Sequence, residues 1–171
     1  SAQLTARDYE EVLYWIDDLA QRETMEVRAT CAPHAQRVRL QRQALEGVTG
    51  QGGKGVSAIP LSPYPATPQT RRGCLAGTGI CFVSHLGEVF PCGYFPFKAG
   101  DVRQQSFGTI WETAPIFSDL RDPDQLMGKC GACEYRVVCG GCRARAFGQT
   151  GHYLDEEPFC NYLPKPIAPA T

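Results

Sequence analysis

The chain has 171 residues, 43% of them hydrophobic and 10% aromatic, with a formal net charge of -1. That length suits one ordinary domain or two small ones, and 13 prolines point to a core interrupted by loops. The charge balance gives no electrostatic reason to expect nucleic acid or an anionic membrane surface. No run approaches the roughly 18 apolar residues that span a bilayer, and no charged segment followed by an apolar one opens the chain as a secretory signal would.

Residues 5–22 are expected to form an amphipathic helix, because Tyr9, Val12, Leu13, Ile16 and Leu19 recur at helical spacing. Thr5 followed by Asp8 resembles a capping box, and the apolar face around Trp15 is expected to be core. Met25 to Thr30 reads as a short strand, with Met25, Val27 and Ala29 alternating against Glu26 and Arg28. Pro33 suits the first turn of a second helix running through Val38 and Leu40 to about Leu45. Helix, strand and helix over residues 1–46 are too little for a closed α/β domain; they read as the last piece of a larger repeating α/β structure. Residues 47–72 are expected to be a linker, with glycines at 47, 50, 52, 53 and 55 and prolines at 60, 63, 65 and 68.

From Cys74 the chain changes character. Ile80 to Ser84 and Val89 to Cys92 are short strand candidates joined through His85-Leu86-Gly87-Glu88, a hairpin with glycine supplying the tight turn. Ser106 can cap a helix carrying Ile110, Trp111, Phe117 and Leu120, which Pro115 must break or restart. The segment from Cys130 to Cys142 is too rich in Gly and Cys to be regular, and its backbone is expected to wrap a metal. Gly148 to Gly151 reads as a turn, and residues 164–171, with Pro164, Pro166 and Pro169, as a loose tail.

Eight of the nine cysteines fall between Cys74 and Cys160, and four of them read Cys130-x2-Cys133-x5-Cys139-x2-Cys142. A secreted disulfide scaffold is the plain alternative. The odd count, the missing signal and the paired Cys-x2-Cys knuckles favour metal-bound thiolates in a reducing cytoplasm instead. Four thiolates suit either zinc or an iron–sulfur cluster. Zinc ribbons usually place about 15–20 residues between knuckles, whereas five separate Cys133 from Cys139. So short a gap wraps a larger cubane, or sends neighbouring cysteines to two clusters, more easily than it closes on one ion. Two zinc sites that only staple a small domain remain the alternative.

Cys74-x12-Gly87-x4-Cys92, then Cys130-x2-Cys133-x5-Cys139, with Cys142 and Cys160 beyond, resembles the SPASM domain of radical S-adenosylmethionine enzymes. Cys139-Gly-Gly-Cys-Arg-Ala-Arg-Ala146, Glu157-Pro-Phe-Cys160, Arg28-Ala-Thr-Cys-Ala-Pro-His34 and Gly108-Thr-Ile-Trp111 are similar to the tetrapyrrole-modifying branch, which includes enzymes of heme d1 and siroheme-dependent heme biosynthesis. The resemblance implies an α+β fold: the end of a (β/α) barrel over residues 1–46, then a SPASM domain over 73–163. It implies two auxiliary [4Fe–4S] clusters, the first on Cys74, Cys81, Cys92 and Cys142, the second on Cys130, Cys133, Cys139 and Cys160. The family's usual final spacing is Cys-x3-Cys; Cys139-x2-Cys142 is one residue shorter.

The Cys-x3-Cys-x2-Cys motif that serves S-adenosylmethionine in this family does not occur in the sequence. The chain is therefore expected to be the C-terminal part of a longer enzyme. By itself it would not cleave S-adenosylmethionine; that cofactor and a third cluster would belong to the barrel. The implied substrate is a siroheme-derived tetrapyrrole and the implied electron donor a ferredoxin or flavodoxin, with the clusters transferring electrons or positioning substrate. The alternatives are a peptide-modifying maturase with the same cysteines and a stand-alone zinc or iron–sulfur module without catalysis.

Other residues offer less. Lys129, Arg136, Arg143 and Arg145 beside the cysteines would raise a cluster's potential or simply face solvent. Cys31, three residues before His34, reads first as a small buried residue and second as part of a ligand pair. His85 and His152 fall in turns without evident partners, and Asp17-Asp18 and Asp155-Glu-Glu157 read as solvated charge.

Overall fold

The computed structural model describes residues 4–49 and 72–165, an α+β arrangement with two helices before the undescribed segment and a small sheet with short helices after it. The first helix, α1, spans Ala6–Arg22. Its capping box forms as expected: Thr5 Oγ1 accepts from the Asp8 N–H while Asp8 accepts from the Thr5 N–H, satisfying two donors that the first turn leaves over. Leu13 is its buried apolar residue; Trp15, expected in the core, is 57% exposed.

Met25 to Thr30 forms no strand. Val27 and Ala29 do turn inward between exposed Glu26 and Arg28, but no neighbouring strand pairs with this stretch among the described residues, and a strand requires a ladder partner. The second helix, α2, spans His34–Thr49 and so takes up residues 47–49 that the sequence assigned to a linker; residues 50–71 of that linker and 166–171 of the tail lie outside the described residues. Leu13, Ala32 and Val38 form the core between α1 and α2. Arg37 reaches Glu10 at 2.5 Å, and Asp17, buried rather than solvated, lies 3.3 Å from Arg42 and 3.7 Å from Arg39.

Beyond Arg72 the expected hairpin forms from β1 (Phe82–Val83) and β2 (Glu88–Phe90), with Phe82 opposite Phe90 and Val83 opposite Val89. Gly87, at φ +80°, supplies the left-handed turn residue. A third strand, β3 (Gly100–Asp101), lies antiparallel on the other edge of β2; two residues leave too short a pattern to read in sequence. Ser106 caps α3 (Phe107–Thr113), and Pro115 opens α4 (Pro115–Arg121) where its missing N–H costs nothing. Val89, Phe95, Ile110, Ala114, Ile116, Phe117 and Leu120 form the main core, and Cys81 and Cys92 pack against it.

Short as it is, α5 (Gly128–Gly131) puts one helical turn under Cys130, in a segment expected to be irregular. The last helix, α6 (Arg143–Thr150), follows Cys142 directly. It runs through the turn expected at 148–151, and Gly151, at φ +80°, ends it as a left-handed cap.

Candidate metal centre

Cys130 on α5, Cys133 and Cys139 on the following turns, and Cys160 near the described end line one cavity, partly open to solvent. These are the four cysteines assigned by resemblance to the second cluster. Helix α2 contributes His34 and Arg37 to the same wall, and Lys129, Arg136, Glu157 and Tyr162 complete much of the rest.

The other four cysteines do not line this cavity. Cys81 precedes β1, Cys92 follows β2, and Cys142 is the N-terminal cap of α6. Burial raises the Cys74 and Cys92 thiols above their usual value, and the nearby Cys142 charge raises both further. A second cavity is lined by Cys74 together with Cys139 and Arg143, while Cys81, Cys92 and Cys142 do not line it. Among the described residues, no three His, Cys, Asp or Glu side chains converge closely enough to hold a single metal ion. The four thiols of the first cavity surround a volume rather than meeting at a point.

Two glycines separate the sets. Gly140 and Gly141 both have left-handed backbone, at φ +65° and +60°. A Cβ on Gly141 would stand 2.6 Å from Arg143 Nη2 and 2.8 Å from Glu157 Cβ. This double reversal lets two cysteines only three positions apart serve different places: Cys139 lines the first cavity and Cys142 does not.

Cys133 accepts a hydrogen bond from the Tyr135 N–H two residues further on, at 3.4 Å, and the corresponding N–H groups of Ala76, Tyr94, Gly141 and Tyr162 act to lower the Cys74, Cys92, Cys139 and Cys160 thiols against burial. Cys130 accepts instead from the Glu157 N–H at 3.3 Å and from Arg143 Nη2 at 3.7 Å. Donors aimed at sulfur favour thiolate, the form that binds metal. Without a cation, burial wins: Cys139 is pushed up to about 12 even against the Gly141 N–H.

Glu157 organises the region, although the sequence suggested a solvated charge. It is fully buried. Arg145 donates to both its oxygens, Nε to Oε1 at 2.9 Å and Nη2 to Oε2 at 3.2 Å. The Cys142 N–H donates to Oε2 at 2.6 Å and the Phe159 N–H to Oε1 at 3.2 Å. Through its own N–H to Cys130, this one residue joins the two cysteine sets. Arg143 and Arg145 are likewise structural: Arg143 donates to the Tyr153 and Asp155 carbonyls, and Arg145 to Tyr9 Oη and the Cys31 carbonyl. Arg136, half-buried in the cavity wall, pairs with Asp124 at 2.9 Å.

Cys31 is exposed, with its backbone at φ +55°, so the expected buried cysteine is corrected. His34 is the buried member of that pair. His152 does have a partner, Asp155 at 3.6 Å, while His85 is exposed as expected. The sequence signal missed at Glu157 was its place three residues before Cys160 and opposite two arginines of Arg143-x-Arg145.

Among the described residues, five buried side-chain polar atoms lack a hydrogen-bond partner, and four of them belong to His34, Arg37 and Arg143, which line the two cavities. Buried donors are nearly always satisfied. Thiolate-capable sulfurs with N–H bonds already aimed at them, surplus donors and surrounding cations fit an anionic, sulfur-rich group better than a neutral packing space.

Residues 74–134 match the SPASM family model, described as an iron–sulfur cluster-binding domain. Among curated proteins the chain is similar to the AdoMet-dependent heme synthase of Methanosarcina barkeri, 46% identical over 164 residues, which cover 96% of this chain and 44% of that protein. It is 37% identical over 92 residues to the pre-heme d1 synthase of Dinoroseobacter shibae, covering 52% of this chain and 23% of that one. It is 39% identical over 93 residues to the mycofactocin maturase of Mycobacterium ulcerans, covering 51% and 25%. The chain thus spans less than half the length of these relatives.

Proposed function

We propose, from the premise that residues 74–134 match the SPASM iron–sulfur cluster-binding model, that this chain is the auxiliary-cluster part of a radical S-adenosylmethionine enzyme modifying a tetrapyrrole side chain. Two [4Fe–4S] clusters are assigned, one to Cys130, Cys133, Cys139 and Cys160, the other to Cys74, Cys81, Cys92 and Cys142. The observation that carries the reading is the cavity walled by the first four of these cysteines, of which Cys130 and Cys133 already accept backbone N–H bonds. When bound, such clusters transfer electrons or hold substrate in place. The chain's own residues do the rest. Glu157 fixes the Cys142 backbone, Arg143 holds the 153–155 loop over Cys130, and Lys129 donates to the Cys160 carbonyl at 2.8 Å.

The tetrapyrrole assignment rests on reach and identity together. Similarity to the heme synthase extends over 96% of this chain at 46% identity, including α1 and α2, whereas the PqqA peptide cyclase of Gluconobacter oxydans is 26% identical over 80% of it and the maturase 39% identical over 51%. A peptide-modifying maturase is therefore the second reading. Radical cleavage of S-adenosylmethionine is assigned to sequence beyond this chain, which has no Cys-x3-Cys-x2-Cys motif.

Anaerobic reconstitution of the chain with iron and sulfide tests the cluster assignment. About eight irons with matching sulfide are expected for two cubanes; a colourless protein that takes up only zinc overturns it. Cys142→Ala is expected to halve the iron content, and an unchanged content would remove Cys142 from the ligand set. Binding of an iron porphyrin carrying propionates, read by its absorption shift in the longer enzyme, separates the tetrapyrrole reading from the peptide one.

A further inference from the structure

His34 opens α2, outside the matched domain, yet it lines the same cavity as Cys130, Cys133, Cys139 and Cys160. It is 1% exposed, and neither ring nitrogen has a hydrogen-bond partner. Its nearest charged neighbour does not satisfy it: Nε2 stands 3.8 Å from Glu157 Oε2, beyond hydrogen-bond range, and that oxygen already accepts from Arg145 and the Cys142 N–H. The ring is not loose. Tyr9 packs edge-on at 5.3 Å between centroids, and Pro33 and Arg37 beside it are buried. An imidazole always carries at least one N–H, and leaving it unmade in a buried site costs about 1–3 kcal/mol.

We propose that His34 is a positioning residue of the candidate cluster centre, donating its ring N–H to a sulfur of the [4Fe–4S] group held by Cys130, Cys133, Cys139 and Cys160. This rests on the cluster assignment made above. The four cysteines already complete a cubane's ligand set, so the imidazole acts as a donor to sulfur and not as an iron ligand. Hydrogen bonds to cluster sulfurs stabilise the reduced, more negative state and raise the reduction potential. The consequence is that a helix outside the matched domain tunes the cluster.

The test uses the full chain reconstituted anaerobically with iron and sulfide, with reduction followed by electron paramagnetic resonance. The signal belonging to this cluster is the one that Cys139→Ser alters. His34→Leu is expected to lower its one-electron reduction constant about tenfold, which is about 59 mV, while iron and sulfide content stay at the wild-type level. His34→Gln, which retains an N–H donor, is expected to recover most of the shift. Chain labelled with 15N-histidine is expected to show a weak nitrogen coupling to the reduced cluster that both variants lose. Unchanged potential at full iron content overturns the proposal, as does a strong coupling typical of direct ligation. If His34→Leu does not fold, the coupling in the labelled wild-type chain decides. Wild-type chain that binds no cluster refutes the earlier assignment instead, so the two failures are told apart.

Discussion

Cys139 shows how one side chain depends on what surrounds it. Burial pushes its thiol up to about 12, with the Gly141 N–H opposing and the Cys160 and Cys130 charges adding to the rise. Thiolate, the reactive form, therefore grows only as pH climbs toward that value, and at pH 8 it is about one part in ten thousand. In metal-free chain, alkylation at pH 8 is expected to reach exposed Cys31 first and Cys139 last, a sequence that residue-resolved mass spectrometry over time reads directly. Loaded with iron and sulfide, Cys139 is expected to be protected while Cys31 still reacts. His34 is held as neutral imidazole by similar physics. Burial takes it down to about 4, Glu157 opposes, and Arg145 and Arg37 add to the fall.

Among the elements, the loop between Cys139 and α6 has the least tolerance. Gly141→Ala would place a methyl 2.8 Å from Glu157 Cβ in a left-handed backbone, costing about 1–3 kcal/mol in strain alone. The expected outcome is loss of at least half the iron after reconstitution, measured by iron and sulfide analysis. The corresponding change at Gly148, whose Cβ position is open, is expected to leave the iron content unchanged. The α1 cap, the hairpin and the break at Pro115 were legible in sequence, because each depends on neighbours a few residues apart. The strand expected at Met25 to Thr30 was not, since its alternation specifies two faces but supplies no partner to pair with.

At the scale of the whole chain, Tyr9 and Arg145 tie the first two helices to the cysteine-rich part. Arg145 lies 5.1 Å above the Tyr9 ring while donating to its hydroxyl at 3.1 Å and to the Cys31 carbonyl at 3.0 Å. The Tyr9 ring also stacks on Phe159 at 6.1 Å. Tyr9→Ala keeps helix propensity but removes this contact, at a cost of about 2 kcal/mol. Amide exchange in α1 and in the first turns of α2 is expected to quicken about thirtyfold, with α3 and α4 unchanged, by hydrogen–deuterium exchange mass spectrometry. Equal acceleration everywhere would mean that Tyr9 supports global folding rather than this joint.

What the sequence determined by itself was local chemistry: the thiols, their knuckle spacing, the caps and the hairpin. Each is written in residues close along the chain. What the tertiary structure decided was the use of charge. Glu157 and His34 are ordinary polar residues in sequence. They become buried only because α2 and the loop before Cys160 fold onto the same cavity from positions more than 100 residues apart, with Arg145 closing on Glu157. Burial is a property of that convergence, and only there does a solvated carboxylate become a fixed acceptor and a plain histidine a donor in need of a partner.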